Sequence, residues 1–242
     1  MHRPLLTIAI PTWNRSHYLN FNLTQIRKEC QKIGETLIEI LVSDNCSIDN
    51  TALIVSSFIK SGFPISYYCS EKNLGWGANF LNCFKKARGK YVLLLGDDDL
   101  IVDGGLEIII NVLNSNIIYG TLSLNAYGYT KDYMREMPFF SNKNNRNYQN
   151  AGDFLLATCL INTLLSSTIV NTDLINLDEI VPDSEKNLTH LRYVLMATLR
   201  AEVNCCVENY IIAVKRDNSS SYQYTKVFVD ELWNIYNKVF VT

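Results

Sequence analysis

Three clusters of polar residues in this chain each follow a short apolar run. Pro11-Thr12-Trp13-Asn14-Arg15 closes the run that starts at Leu5, Ser43-Asp44-Asn45-Cys46-Ser47 follows Leu37 to Val42, and Gly96-Asp97-Asp98-Asp99 follows Tyr91 to Leu95. The acidic triplet carries the most chemistry. Three adjacent carboxylates repel one another, and a hard divalent cation with oxygen ligands relieves that repulsion. Such an ion would clamp a diphosphate and neutralise its charge as it leaves. A solvated acidic turn or a helix N-cap is the plain alternative. The buried strand before the triplet, and two further motifs at strand ends, favour the ion. Asp44 lies in good turn and capping sequence, where Asn or Ser would serve as well. Its carboxylate can in addition accept the N3–H of uracil or thymine, which cytosine lacks, and this favours a uridine or thymidine donor. Gly75, Gly77 and Asn79 precede a helical pattern, where backbone can approach a donor sugar or diphosphate near a helix N-terminus. A plain loop with a capped helix is the competing reading.

The elements that would position these groups alternate. Leu5 to Pro11 reads as a buried parallel strand, Ser16 to about Ile33 as a helix, and Leu37 to Val42 as a second strand. A helix capped at Ser47 or Asp49 runs to Ile59, stopped by Gly62 and Pro64. Ile65 to Cys69 is a third strand, Phe80 to Ala87 a helix ended by Gly89, and Tyr91 to Leu95 a fourth strand. A helix over Gly105 to Leu113 and a strand over Tyr119 to Leu124 follow. Lys131 to Asn150 is polar and Asn-rich and reads as a long loop. Beyond it come helices at Asp153 to Leu160 and Leu188 to Leu199, short strands at Leu165 to Val170 and Tyr210 to Val214, a Ser-rich loop at Asn218 to Ser221, and a last helix through Trp233. The order predicts an α/β fold with a mostly parallel twisted sheet flanked by helices, and ligands in such sheets bind at the carboxyl ends of the strands. One domain spans residues 1–242, with a nucleotide-binding half to about residue 125 and an acceptor half from about 126.

Composition agrees with a packed domain. Of 242 residues, 48% are hydrophobic and 19% charged, so a sizeable core can be buried. The net charge is −2 and no basic run occurs, which argues against a nucleic-acid partner. No apolar stretch approaches the roughly 20 residues of a membrane span, and no signal-peptide pattern opens the chain. Seven cysteines, an odd number with no CxxC pair, point to reduced thiols in the cytoplasm. No GxxxxGK loop is present, and Gly75-Trp76-Gly77 lacks a third glycine because Phe80 stands there; a P-loop or dinucleotide enzyme is therefore disfavoured.

Taken together, Ile10 to Arg15, Val42 to Thr51, Asn73-Leu74-Gly75, and Ala87-Arg88-Gly89-Lys90-Tyr91 running into Asp97-Asp98-Asp99 resemble the family 2 glycosyltransferases of GT-A fold. The resemblance covers about residues 5–115. The Gly-Asp-Asp-Asp variant is similar to bacterial polysaccharide enzymes that include abequosyltransferases. It implies a metal-dependent, hexosyltransferase-type enzyme that moves a sugar from a nucleotide-diphosphate donor with Mn²⁺ or Mg²⁺ and inverts the anomeric centre. Donor contacts are then expected from Pro11, Thr12, Asn14, Arg15, Asp44, Asn73, Gly75, Asn79, Asp97 and Asp98. Thr12, Asn14 and Asp44 would border the nucleoside, and Asp97 the ribose or the shell behind the metal. Asp98 would bind the metal. Gly96 occupies the first aspartate of the usual Leu-Asp-x-Asp-Asp pattern, so Asp99 is a metal candidate too. Phe80 falls where an arginine is common, which leaves the sugar contacts open.

An inverting transfer needs a base for the acceptor hydroxyl. In the resembled family this is usually an aspartate of a Glu-Asp pair opening a helix in the acceptor half. Here Thr189 and His190 stand there. His190 is a competent base, with an ordinary pKa near ~6.5; Asp183 and Glu185 are the alternatives. The expected partners are a UDP-sugar and a saccharide or lipid-linked saccharide acceptor for a surface polysaccharide or glycolipid. The expected location is the cytoplasm, with peripheral contact at the inner face of the cytoplasmic membrane at most. The terminal helix, with Phe228, Leu232, Trp233, Tyr236 and Phe240, either packs on the core or touches lipid. The competing function is a non-catalytic domain that binds a nucleotide sugar or glycan; a nucleotidyltransferase is weaker, since Arg15 alone is basic after the first strand.

Overall fold

Burial on both faces of the first strand sets the architecture. In β1 (Leu6–Thr12), Leu6, Ile8 and Ile10 enter one core and Ala9 enters another, so the strand is covered on both faces. The computed structural model describes residues 3–33, 37–139, 144–179, 188–216 and 230–235, apart from the side chains of residues 159 and 160. Asp183, Glu185, the loop at Asn218 to Ser221 and the terminal helix beyond residue 235 lie outside the described residues.

The remaining elements are α1 (Ser16–Ile33), β2 (Ile38–Asp44), α2 (Thr51–Lys60), β3 (Ile65–Cys69), α3 (Trp76–Lys86), β4 (Tyr91–Leu94), β5 (Leu100–Ile101), α4 (Gly105–Leu113), β6 (Thr121–Tyr129), β7 (Arg146–Tyr148), α5 (Ala151–Thr158), β8 (Thr168–Asn171), α6 (Thr189–Arg200) and β9 (Asn204–Lys215). Among the described residues, nine strands form one sheet in the order β3-β2-β1-β4-β8-β6-β9-β5, with β7 on β9. Pairing is parallel from β3 through β4. β8 then enters antiparallel to both β4 and β6, and β9 returns parallel to β6. The predicted parallel sheet thus holds for the first half, and the second half makes it mixed.

One face of the sheet buries Leu19, Leu23 and Ile26 of α1, Val55 and Phe58 of α2, and Leu106, Ile109 and Leu113 of α4. The other buries Phe80 and Phe84 of α3 against Leu191, Tyr193 and Val194 of α6. Phe84 and Tyr193 stack with ring centroids 4.1 Å apart. Each fully buried side chain of this size stabilises the fold by about 1.5–3 kcal/mol relative to exposure. At the opposite end from the strand-end motifs, buried Glu39 accepts Thr7 Oγ1 (2.7 Å), Arg88 N (2.8 Å) and Arg88 Nε (2.6 Å). A Cβ on Gly89 would sit 2.6 Å from Thr7 N, so only glycine passes there. The Arg88-Gly89 part of the sequence pattern is therefore architectural.

Several boundaries differ from the sequence reading. Within the expected loop at Lys131 to Asn150, Arg146–Tyr148 forms β7 by pairing with Asn204–Cys206 of β9, a long-range partner that local pattern does not reveal. β5 is two residues long and was hidden behind the acidic triplet. Leu165–Ser167 is a 3-10 turn, not the start of a strand. β6 and β9 each run several residues further than their apolar cores, because each is the other's long partner.

Candidate active site at the carboxyl strand ends

The βα loops after β1, β2 and β3 are tied to one another and to the triplet after β4. Asn45 N donates to Thr12 O (2.9 Å), which continues the β1–β2 register past Thr12 and Asp44. Asn14, with φ of 53°, accepts Ile48 N at Oδ1 (2.8 Å) and donates its own N–H to Ser47 Oγ (2.8 Å). The left-handed conformation is one that asparagine tolerates better than most residues. Asp49 accepts Ser16 N (2.9 Å) at one oxygen and Thr51 N (3.0 Å) at the other, so a single carboxylate serves the first turns of α1 and α2. Asn73 Oδ1 accepts Gly75 N and Asn45 Nδ2, both at 2.9 Å, and Gly75 leads into α3 with φ of 81°. Buried Asn79 donates Nδ2 to Ser43 O (3.0 Å) and accepts Ser43 Oγ (2.6 Å). Asn73 and Asn79 thus fix the loops that carry Asp44 and Gly75.

Asp44 is 1% exposed. Its Oδ1 accepts Ser47 N (2.9 Å) and its Oδ2 accepts Tyr67 Oη (2.6 Å). Burial, and then the bond to Asp44, push the Tyr67 phenol far above its ordinary pKa, so it stays a donor.

The acidic triplet is enclosed, each carboxylate by different partners. Asp97 Oδ2 accepts Thr12 Oγ1 (2.7 Å), and its Oδ1 lies 3.3 Å from Arg15 Nε. Asp98 Oδ2 pairs with Arg15 Nη2 at 2.5 Å. Asp99 Oδ2 accepts Ser166 Oγ (2.5 Å) and its Oδ1 accepts Lys215 N (3.2 Å). Burial, opposed by Arg15 and reinforced by Asp98, pushes Asp97 up to about 7. Burial and then Asp98 push Asp99 up to about 7 as well. Of three carboxylates, each 9% exposed or less, two pair with one guanidinium, and Asp99 is held by a hydroxyl and a backbone N–H. This is a cluster short of positive charge and built of hard oxygen donors, which suits a divalent cation.

Gly96 lets the triplet fold back. A Cβ there would lie 3.1 Å from Asp99 Oδ2, 3.3 Å from Asp98 Oδ1 and 3.4 Å from Ser166 Oγ. Oxygens of Asp98 and Asp99 therefore converge over the Gly96 backbone. Of the donor residues expected from sequence, Thr12, Arg15, Asp97 and Asp98 form one connected group, and the metal candidate Asp99 is held beside them by Ser166 and Lys215. Pro11 near the end of β1, Asp44 at the end of β2, Asn79 in the first turn of α3, and Asn14, Asn73 and Gly75 in the loops between belong to the adjoining segments. His190 is the second residue of α6. It is 3% exposed, meets Phe80 edge-on at 6.1 Å, and lines a small cavity with Phe84, Val92, Leu94 and Leu165.

Sequence reasoning missed Ser166, Lys215, Tyr67 and Asn22. Asn22 Nδ2 donates to Gly96 O (3.1 Å) and Asp99 O (2.6 Å), shaping the turn that bears the triplet. A signal existed for it: an amide in the buried stripe Leu19, Asn22, Leu23, Ile26. Ser166 and Lys215 come from elements 67 and 116 residues beyond Asp99, which no local pattern links to it.

Comparison with known proteins agrees with this geometry. Residues 7–163 match the family described as Glycosyl transferase family 2. The abequosyltransferase RfbV of Salmonella typhimurium is 36% identical over 112 residues, which are 46% of this chain and 33% of that protein. The matched segment is thus about a third of that relative's length. The structure of S. aureus TarS 1-349 in complex with UDP-GlcNAc superposes with a TM-score of 0.72 at 20% identity, covering 98% of this chain and 65% of that one. The mannosyltransferase PcManGT from Pyrobaculum calidifontis, in complex with GDP-Man and Mn²⁺, gives 0.70 at 12% identity, covering 100% of this chain and 66% of that one. These two likenesses establish the GT-A fold.

Proposed function

This chain belongs to glycosyl transferase family 2, and from that premise we propose that it transfers a glycosyl group from a nucleotide-diphosphate sugar to an acceptor hydroxyl. The observation that carries the reading is the convergence of Thr12, Arg15 and the triplet at the carboxyl end of β1 and β4. A binding-only domain has no need for three buried carboxylates short of positive charge, whose desolvation is costly.

Asp98 and Asp99 are the residues that would hold Mn²⁺ or Mg²⁺. The bound ion would neutralise the diphosphate as it departs. Asp97, bonded to Thr12, stands behind them and borders the ribose. Asp44 and Asn14 flank the nucleoside. Each Asp44 oxygen keeps a lone pair beyond its present bond, which leaves an acceptor for a uracil N3–H and supports a UDP-sugar. TarS with UDP-GlcNAc supports the same donor class, and PcManGT with Mn²⁺ supports the metal. Asn73, Gly75 and Asn79 bring the α3 N-terminus to the donor.

The proton acceptor belongs to the set His190, Asp183 and Glu185. The burial of His190, 3% exposed, counts against it, and the other two lie outside the described residues. The acceptor in this reading is a saccharide or lipid-linked saccharide of a surface polysaccharide, met in the cytoplasm or peripherally at its membrane. Among the described residues no helix is long and apolar enough to cross a membrane. In the terminal segment Ile235 is buried and Trp233 is 67% exposed, so at least one residue of that segment packs on the core.

A panel of UDP-, GDP-, CDP- and dTDP-sugars, with nucleotide release as the readout and Mn²⁺ present, tests the proposal. Release from a UDP-sugar that EDTA abolishes is the expected result. No release from any donor, with UDP still bound, would return the chain to the binding-only reading.

A further inference from the structure

We propose that Arg15 and the divalent cation are alternative counter-ions of Asp98, so that Arg15 yields Asp98 when the ion enters and turns its N–H groups to the donor diphosphate. This rests on the reading of Asp98 as a metal ligand.

Three observations lead here. The Arg15–Asp98 contact is short, 2.5 Å from Nη2 to Oδ2, and both side chains are largely enclosed, at 17% and 9% exposure. A guanidinium stays charged at every working pH, so it cannot stand aside by losing a proton. A dication on the same carboxylate would lie next to that charge, and the two repel strongly in so enclosed a place.

The second observation is that Arg15 is held by more than Asp98. Its Cζ lies 4.7 Å from the centre of the Tyr18 ring, and Nε forms an ion pair with Asp97 at 3.3 Å. Released from Asp98, the guanidinium keeps a ring and a carboxylate to hold it beside the triplet. The third is that its hydrogen bonding is incomplete. Nε is buried, and among the described residues it reaches no acceptor in hydrogen-bond geometry. A buried charged donor without an acceptor is costly, and a diphosphate oxygen arriving with the ion supplies one.

The consequence is a pair of effects of opposite sign from one side chain. Arg15 weakens the binding of the bare ion and strengthens the binding of the ion with its diphosphate. Metal and donor are then coupled through a residue that cedes Asp98 to the one and pairs with the other.

The test is a Mn²⁺ titration of the full chain without nucleotide, read by electron paramagnetic resonance, for wild type, Arg15→Gln and Arg15→Lys. Arg15→Gln should tighten Mn²⁺ by about tenfold, while Arg15→Lys, which keeps the charge, should stay within about threefold of wild type. At saturating Mn²⁺, UDP should bind Arg15→Gln about tenfold more weakly in calorimetry. Arg15→Gln that binds bare Mn²⁺ with wild-type or lower affinity overturns the inference and leaves the metal reading standing. Wild type that binds no Mn²⁺, alone or with UDP, sinks the metal reading and the inference together. Should circular dichroism show Arg15→Gln unfolded, Tyr18→Leu takes its place. Loosening the guanidinium there should tighten bare Mn²⁺ by about threefold, and an unchanged affinity counts against the proposal.

Discussion

Ser166 Oγ donates to Asp99 Oδ2 at 2.5 Å while it accepts the Gly96 N–H at 2.9 Å, so one hydroxyl from the second half of the chain fixes both ends of the acidic turn. Ser166→Ala leaves a buried carboxylate oxygen and a backbone N–H without that partner. The expected cost is about 1.5–3 kcal/mol of unfolding free energy, measured by urea denaturation. Mn²⁺-dependent UDP affinity should fall as well, by about tenfold. An unchanged affinity in a folded variant would show that Asp99 needs no support from Ser166.

Asp98→Ala separates metal-dependent from metal-independent donor binding. Calorimetry of UDP with and without Mn²⁺ should show a gain from the metal of about tenfold or more in wild type and none in the variant. Equal behaviour of the two proteins would remove Asp98 from the metal site.

Asp44→Asn should lower UDP affinity by about tenfold and CDP affinity by much less, because a carboxylate accepts the N3–H that uracil has and cytosine lacks. Tyr67→Phe is the control. It removes the 2.6 Å bond that orients the carboxylate without touching its charge, and a smaller effect in the same direction is expected. Equal losses for both nucleotides would assign Asp44 to the loop alone.

The ring of His190 is buried and meets Phe80 edge-on, so His190→Ala should lower the melting temperature by several degrees through the cavity it leaves. Turnover at a temperature where the variant is folded then assigns the base. A loss of about 10²-fold with donor affinity unchanged gives the role to His190. Retained turnover, with Asp183→Asn or Glu185→Gln inactive, gives it to one of those.

Asp103 predicts an acid-dependent stability. Hydrogen bonds from Lys28, Gln25 and, against burial, Tyr133 hold it down to about 2. A carboxyl whose folded pKa is depressed stabilises the fold above its ordinary value near 3.8 and loses that contribution as pH falls toward 2. Its side chain is 31% exposed, and solvent screening reduces the contribution to about 1 kcal/mol. Asp103→Asn should therefore be less stable at pH 6 and lose less stability between pH 4 and pH 2 than wild type, in urea titrations across that range.

What the sequence disclosed and what it withheld divide along physical lines. The buried parallel strands β1, β2 and β4 read clearly because both faces are apolar, and were expected within two residues of their observed bounds; the half-exposed edge strand Ile65–Cys69 and the helix Gly105–Leu113 were expected at theirs. The triplet and Asp44 stood out because charge at the end of an apolar run is costly without a purpose. Ser166 and Lys215 did not, since a serine in an apolar run and a backbone N–H carry no chemical signature until the fold sets them against Asp99 and Gly96, and Asn22 showed only as an amide in a buried helical stripe. A histidine at a helix start can cap, pack or act as a base, and nothing local says that the fold buries His190 beside Phe80, Phe84 and Leu94.

The bond from Lys215 N to Asp99 Oδ1 spans 116 residues. During synthesis, β1 through β4 emerge and can pair long before β9 exists. A nascent chain can therefore hold its nucleotide-side strands in register while Asp99, buried in the finished protein, still lacks two of its partners. The enclosure of the triplet arrives late, as a property of the completed sheet, and a shortened chain ending before β8 would have the sequence motifs without the surroundings that give them their charge environment.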